Sequence, residues 1–140
     1  MFAAGPVHQA LRMEGGPLVS VLLVDDSPSF LASARRFVEA EGLTVVGAVA
    51  SGRQALEAVA RLRPSLVLMD VAMPDMNGIE ATRLIKASPG APRVIVVTLH
   101  DTEEYGTAAA AAHADGFVDK SQIESMLMPA IRTIFPGFRA

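Results

Sequence analysis

Short apolar runs alternate with longer amphipathic runs five times along this chain. The first short run, residues 18–24, is apolar at nearly every position, which is typical of a strand buried on both faces. The run that follows from Pro28 carries apolar residues at helical spacing until Gly42. Five such units, with connections of helical length, predict an α/β fold in which helices cover both faces of a parallel, doubly wound sheet.

The remaining elements follow the same alternation. Four further strands are predicted over residues 43–49, 65–70, 94–97 and 116–118. Ser27, Ser51 and Ser121 each stand where a helix is expected to begin, and serine is a favoured helix cap. Pro129 lies inside the last helical pattern, where proline is expected to kink or interrupt the helix.

Composition excludes several classes of protein. With 51% hydrophobic and 19% charged residues the chain is not disordered, and a net charge of −3 gives no basic footprint for nucleic acid or membrane. No apolar run reaches the ~18 residues of a membrane span, and the absence of cysteine suits a cytoplasmic protein. Residues 1–17, rich in glycine and proline, indicate a flexible leader or a cloning remnant, which leaves residues 18–140 as the folded domain.

Polar side chains follow the predicted strands at the points where these end. They are Asp25, Asp26, Asp70, Thr98 and Lys120. Because the carboxyl ends of parallel strands meet at one edge of the sheet, we expect these side chains to lie together. Three carboxylates repel one another unless a cation lies among them, and hard oxygen ligands suit Mg²⁺. A lysine and a threonine beside them suit the oxygens of a phosphoryl group.

These residues, in this order, resemble the receiver domain of bacterial two-component response regulators over about residues 18–134. The matching motifs are Asp25–Asp26, Asp70 to Pro74 with Asn77–Gly78, Thr98 and Lys120. Three further stretches, residues 63–70, 78–81 and 98–101, are most similar to receivers of the NarL/LuxR type. Such receivers usually precede a helix-turn-helix domain. The resemblance implies a flavodoxin-like fold with five strands in the order 2-1-3-4-5 and five helices.

The resemblance also implies the chemistry of the site. Asp70 would accept a phosphoryl group from a phosphohistidine on a sensor kinase or phosphotransfer protein. Asp25 and Asp26, with Asp70 and the backbone carbonyl of Ala72, would hold Mg²⁺.

A switch is implied next to this site. Lys120 and Thr98 would hold phosphoryl oxygens once Asp70 is modified. Phe117 matches the aromatic residue of the family that moves inward when the threonine is drawn toward the phosphate. The face made by helix 4, strand 5 and helix 5 would then change and signal to an output protein or a C-terminal DNA-binding domain, or form a homodimer.

Besides Pro129 in the last helix, three positions depart from the family pattern. Ala72 offers no polar side chain toward an attacking water, and Leu99 is larger than the alanine or serine that many receivers have after the threonine. His113 stands where many relatives have a glycine that ends helix 4, so a strained left-handed residue is expected there.

Three other readings remain open. A Mg²⁺-dependent phosphatase of the haloacid dehalogenase type would place its nucleophile on the first strand with an Asp-x-Asp spacing, which the adjacent Asp25 and Asp26 lack. A flavodoxin-like FMN protein would need a phosphate-binding loop after that strand, where two carboxylates would repel the ligand. A degenerate receiver, used only for docking, would not need the intact acceptor set.

Overall fold

Five strands and five helices alternate along residues 18–99 and 102–138, the parts of the chain that the computed structural model describes. The strands are β1 (Ser20–Val24), β2 (Thr44–Val49), β3 (Leu66–Asp70), β4 (Arg93–Thr98) and β5 (Gly116–Asp119). The helices are α1 (Pro28–Ala40), α2 (Gly52–Leu62), α3 (Gly78–Lys86), α4 (Thr102–Ala111) and α5 (Ile123–Ile134). The leader predicted for residues 1–17 lies outside the described residues.

The strands form one parallel sheet in the order β2-β1-β3-β4-β5. This confirms the predicted doubly wound, flavodoxin-like fold with strand order 2-1-3-4-5. The strand order reverses between β1 and β3, and such a reversal opens a crevice at the carboxyl edge of the sheet. In the register of the sheet, Asp70 is opposite Val97, and Thr98 is opposite Asp119. The polar residues at the strand ends therefore share one edge.

Side chains of each central strand alternate between two apolar layers. In β1, Val21 and Leu23 face the layer beneath α1 and α5, whereas Leu22 and Val24 face the layer beneath α2, α3 and α4. All four are at most 2% exposed. This burial on both faces explains why the strand is a continuous apolar run, as the sequence predicted.

Two of the three predicted serine caps are confirmed. The hydroxyl of Ser27 accepts a hydrogen bond from the amide of Phe30 at 3.2 Å, and that of Ser51 accepts one from Gln54 at 3.1 Å. The prediction for Ser121 is wrong. The Asp119 carboxylate accepts bonds from the Ser121 amide at 2.9 Å and its hydroxyl at 2.8 Å, which starts a 3₁₀ turn over residues 120–122.

The end of this turn sets the start of the last helix. Helix α5 begins at Ile123 without a side-chain cap. It then continues through Pro129 to Ile134, so the expectation that this proline interrupts the helix is wrong. Pro129 lies on the exposed side of the helix. Because proline has no N–H group, the carbonyl of Ser125 lacks its usual helical donor, but on this side it can bind water.

Two non-glycine residues in the described part of the chain have a left-handed backbone conformation. His113, just after α4, has φ 70°, which confirms the conformation expected there. Arg63, just after α2, has φ 49° and ψ 58°. Its backbone amide donates to the carbonyl of Val59 at 3.0 Å, so the left-handed turn closes the end of α2 before Pro64.

A buried hydroxyl in α3 gives a first prediction. Thr82 is 0% exposed, and within the described part of the chain its Oγ1 has no hydrogen-bond partner. We expect Thr82→Val, which keeps the shape and removes the hydroxyl, to raise the free energy of unfolding by about 1 kcal/mol in urea denaturation. The matched control is Thr107→Val, because the Thr107 hydroxyl is exposed and donates to the carbonyl of Glu103 at 3.1 Å. Equal changes in both variants would contradict the prediction.

Candidate functional site

Three carboxylates meet at the carboxyl edge of the two central strands. Asp25 and Asp26 follow β1, and Asp70 is the last residue of β3. One carboxylate oxygen from each residue lies within 4.8 Å of the others. Asp25 and Asp70 are buried, at 1% and 5% exposure, whereas Asp26 is exposed. The cluster therefore combines two fixed, dehydrated carboxylates with one that is open to solvent.

Local hydrogen bonds fix the orientation of Asp25. Its backbone amide donates to the carbonyl of Val49 at 3.0 Å, which extends the pairing between β1 and β2. Its Oδ1 accepts a hydrogen bond from the amide of Ser27 at 2.9 Å. Its buried Oδ2 accepts no hydrogen bond of ordinary geometry from the described residues and instead lies 2.5 Å from the Lys120 ammonium. This oxygen thus depends on a cation for its partner.

Lys120 directly follows the outer strand β5, and its side chain reaches the cluster across the carboxyl edge of the sheet. Its Nζ lies 2.5 Å from Asp25 Oδ2 and 3.3 Å from Asp70 Oδ1, and its side chain is 12% exposed. The ammonium also stands 4.3 Å from the ring centre of Phe30 in α1, a cation–π contact that holds the lysine over the site. One ammonium balances only part of the negative charge of three carboxylates.

The pKa of Asp70 is raised by its surroundings. Burial raises the pKa of this carboxyl group, and the neighbouring charge of Asp25 raises it further. The charge and hydrogen bond of Lys120, together with the Val71 amide, act in the opposite direction but do not cancel the effect. Added positive charge would therefore stabilise the ionised form of Asp70.

A glycine allows the loop after β3 to turn back on Asp70. The amide of Gly78 donates to the carbonyl of Val71 at 2.8 Å. A Cβ atom at position 78 would lie only 1.8 Å from the backbone oxygen of Asp70. Asn77 then caps α3 by accepting a hydrogen bond from the amide of Ile79 at 2.6 Å. The Asn77–Gly78 motif is thus needed to close the loop that carries Ala72.

The two switch candidates lie on the strands beside the cluster. Thr98 is fully buried at the end of β4, next to the position that pairs with Asp70. Phe117 lies one strand farther out, opposite Val96, and is half-buried. Its ring faces α4, with Cδ2 3.8 Å from where a Cβ of Gly106 would be. Of the predicted site residues, the three aspartates and Lys120 meet in one cluster. Strand register places Thr98 and Phe117 beside it.

Two residues at the site were not singled out in the sequence. Phe30 belongs to the apolar, helically spaced run that follows Pro28, and nothing in that pattern reveals its contact with Lys120. Asp75 was not assigned a role, yet its carboxylate accepts hydrogen bonds from the amides of Gly52 and Arg53, both at 3.0 Å. The bond from Arg53 is the main reason why the pKa of Asp75 is lowered.

Comparison with known proteins agrees with this geometry. Residues 21–132 match the family described as the response regulator receiver domain. This chain belongs to that family. The receiver is similar to the response regulator GacA of Pseudomonas aeruginosa, with 36% identity over 123 residues that cover 87% of this chain and 58% of that protein. It is similar to UvrY of Escherichia coli, with 33% identity over 123 residues that cover 87% of this chain and 56% of that protein. The receiver thus spans less than two thirds of the length of these relatives.

Solved structures are similar over most of the receiver. A two-component response regulator of the LuxR family from Aurantimonas has a TM-score of 0.80 and 35% identity, over 88% of this chain and 89% of that one. The response regulator domain of Thermotoga maritima CheB has a TM-score of 0.76 and 30% identity, over 83% and 95%. The signal receiver domain of a Mycobacterium tuberculosis NarL regulator has a TM-score of 0.79 and 26% identity, over 86% and 98%. The predicted resemblance to NarL/LuxR-type receivers is confirmed.

Among the described helices, none combines the length and apolar character that a membrane crossing requires.

Proposed function

We propose that this receiver is a signalling switch whose phosphoacceptor is Asp70. The phosphoryl donor would be a phosphohistidine on a sensor histidine kinase or a phosphotransfer protein. The observation that carries the proposal is the meeting of Asp25, Asp26, Asp70 and Lys120 at one edge of the sheet in a chain of the receiver family. A docking module that had lost acceptor function would not require buried carboxylates in this arrangement.

The reaction is a transfer of the phosphoryl group from nitrogen to oxygen. A carboxylate oxygen of Asp70 attacks phosphorus, the bond from phosphorus to the imidazole nitrogen breaks, and the freed nitrogen takes a proton from solvent. Asp70 must be ionised to attack. Burial raises its pKa, and the adjacent Lys120 ammonium favours the ionised form, so Lys120 is proposed to keep the nucleophile charged.

The donor set at the site fits Mg²⁺. Asp25, Asp26 and Asp70, with the backbone carbonyl of Ala72, would hold the ion, because all four groups offer hard oxygen ligands. When bound, Mg²⁺ neutralises charge on the oxygens of the phosphoryl group during transfer. The buried Oδ2 of Asp25, whose partner is an ammonium, supports the view that this pocket is built around positive charge.

The signal would leave the site through the neighbouring strands. After transfer, Lys120 and the hydroxyl of Thr98 are proposed to bind phosphoryl oxygens. Movement of Thr98 would open space for Phe117, whose ring now lies against α4. The surface of α4, β5 and α5 would then change, which is a two-state response to a local change of charge.

A switch, as opposed to a turnover enzyme, also fits the shape of the site. The cavity that touches Asp25 and Asp70 has a volume of about 10 Å³ and is otherwise lined by apolar side chains, so this cavity cannot hold a substrate. A phosphoryl group on a partner protein is proposed to reach Asp70 from the solvent side, where Asp26 is exposed. We expect only slow self-dephosphorylation.

The partners are proposed from the family. Because the receiver spans 58% of the length of GacA, its output would be a C-terminal DNA-binding domain or a separate protein, with a phosphorylation-dependent homodimer as a further outcome. The folded receiver is proposed to cover residues 18–140 and to act in the cytoplasm. The net charge of −3 argues against direct nucleic-acid or membrane binding by this domain.

The proposal predicts that phosphorylation requires a divalent cation. With acetyl phosphate and Mg²⁺, intact mass spectrometry should show the gain of one phosphoryl group, and EDTA should slow this gain roughly 100-fold or more. The double variant Asp25→Asn/Asp26→Asn should bind Mg²⁺ poorly and be modified slowly in either buffer. Glu39→Ala, which removes an exposed carboxylate from α1, serves as the control. Modification at the same rate in Mg²⁺ and in EDTA would contradict the proposal.

A further inference from the structure

The loop between β3 and α3, residues 71–77, is anchored at its base by the bond from the Gly78 amide to the Val71 carbonyl. Beyond this base the loop projects from the sheet edge, and Ala72 and Asp75 are exposed. The backbone carbonyl proposed to bind Mg²⁺ belongs to this projecting part. Met73 and Met76 pack on the apolar layer below the loop, and the exposed backbone at Ala72 and Asp75 depends on further contacts for its position.

Asp75 supplies such contacts. Its Oδ1 accepts a hydrogen bond from the amide of Gly52, and its Oδ2 accepts one from the amide of Arg53, both at 3.0 Å. The hydroxyl of Ser51 accepts the bond from the next amide, Gln54. Three successive amides in the first turn of α2 are thus satisfied by side chains, and two of the three depend on a residue from another loop. A carboxylate at a helix N-terminus is also favoured by the helix dipole.

The two segments are in direct contact as well. Gly52 is buried, and a Cβ atom at this position would lie 2.9 Å from the Cβ of Met76. Helix α2 is itself fixed on the sheet, because Ala55 and Ala58 are buried in the layer that it shares with α3 and α4. The β3–α3 loop therefore rests against a rigid element, and Asp75 forms the polar part of that contact.

We propose that Asp75 is a positioning residue of the phosphoacceptor site, which holds the β3–α3 loop, and with it the backbone of Ala72, in place by binding the first two amides of α2. The inference rests on the proposed function, since it concerns a loop that carries a proposed Mg²⁺ ligand. Asp75 does not touch the reacting atoms. Its effect is on how readily the site accepts the ion.

The two carboxylate oxygens predict a graded response to substitution. Asp75→Ala removes both acceptors, whereas Asp75→Asn keeps one acceptor oxygen and places an amide donor against the second N–H group. We expect Asp75→Ala to weaken Mg²⁺ binding roughly 10-fold, the range found when groups that orient metal ligands are removed. Asp75→Asn should lie between this variant and the parent, and the exposed-carboxylate control Glu39→Ala should match the parent.

The experiment measures Mg²⁺ dissociation constants of the four proteins by calorimetry and the hydrogen exchange of the Gly52 and Arg53 amides by NMR. Phosphorylation by acetyl phosphate is then followed as a function of Mg²⁺ concentration. The expected result is a higher half-saturating Mg²⁺ concentration in the Asp75 variants with an unchanged maximal rate, together with faster exchange of the two amides. Asp75→Asn carries the comparison if Asp75→Ala does not fold.

Two results would overturn the inference, and they are distinguishable. If the parent neither binds Mg²⁺ nor takes up a phosphoryl group, the proposed function fails and the inference fails with it. If the parent does both, and the Asp75 variants lose amide protection but keep the parent's Mg²⁺ affinity, Asp75 is only a cap of α2.

Discussion

Asp70→Asn is expected to take up no phosphoryl group and, in metal-free buffer at neutral pH, to be more stable than the parent. The amide cannot act as the nucleophile. It also removes a buried charge that is unfavourable in the folded state, because burial and Asp25 together raise the pKa of Asp70. We expect the free energy of unfolding to rise by on the order of 1 kcal/mol, since repulsion from Asp25 is relieved while Asp25 keeps its contact with Lys120.

The pH dependence of this gain follows from the direction of the shift. An acid whose pKa is raised on folding carries a penalty in the folded state once the pH exceeds that pKa, and the penalty disappears below the unfolded value of 3.8. The difference between Asp70→Asn and the parent should therefore grow as the pH rises from about 4 to 7 in urea denaturation with EDTA. Glu39→Gln, an exposed carboxylate, should show little such dependence. A loss of stability in Asp70→Asn at pH 7 would mean that its contact with Lys120 outweighs burial and repulsion.

Gly78→Ala is expected to destroy the acceptor site. The added methyl group would lie 1.8 Å from the backbone oxygen of Asp70, far inside the separation at which real contacts occur. Either β3 or the start of α3 must move, and the bond from the Gly78 amide to the Val71 carbonyl would be lost. We expect a loss of about 3 kcal/mol or more in unfolding free energy, together with loss of Mg²⁺ binding and phosphorylation.

Gly106→Ala provides the matched control for this substitution. Gly106 lies inside α4, and the nearest atoms to an added Cβ, in the ring of Phe117, are at 3.8 Å and 3.9 Å. Alanine favours helix over glycine, so this variant should be as stable as the parent or more stable by about 0.5–1 kcal/mol. Similar stability in the Gly78 and Gly106 variants, measured by urea denaturation, would show that the loop can adapt and that the close approach at Gly78 is unimportant.

The fold was predictable because its signals are local and repeated. The central strands β1, β3 and β4 are apolar along most of their length, since both faces are buried, and the connections have helical spacing. Once a parallel sheet is inferred, the side chains at the ends of its strands must share an edge. The meeting of Asp25 and Asp70 is therefore a consequence of topology, and the structure adds the distances and the pairing with Lys120.

What could not be predicted depends on contacts between distant parts of the chain. The hydrogen bonds that Asp75 accepts from the amides of Gly52 and Arg53 span 23 and 22 residues, and no local pattern reveals them. The same holds for Phe30, which lies beneath Lys120, 90 positions farther along the sequence.

Local rules also failed at the end of the chain. Ser121 has the residue type of a cap, but the carboxylate of Asp119, two residues earlier, binds both its amide and its hydroxyl. Pro129 breaks the hydrogen-bond pattern of a helix, yet α5 keeps its form because Leu127, Met128 and Ile131 are buried against the sheet while the proline faces outward. Burial of an apolar face thus outweighs a local preference.

The most direct test of the central claim locates the phosphoryl group on the chain. The protein is phosphorylated with acetyl phosphate and Mg²⁺ and reduced with borohydride, which converts an aspartyl phosphate into homoserine, and the digest is sequenced by tandem mass spectrometry. We expect homoserine at position 70 and aspartate at positions 25, 26 and 75, with no homoserine when the phosphoryl donor is omitted. Homoserine at another aspartate, with position 70 unchanged, would contradict that claim.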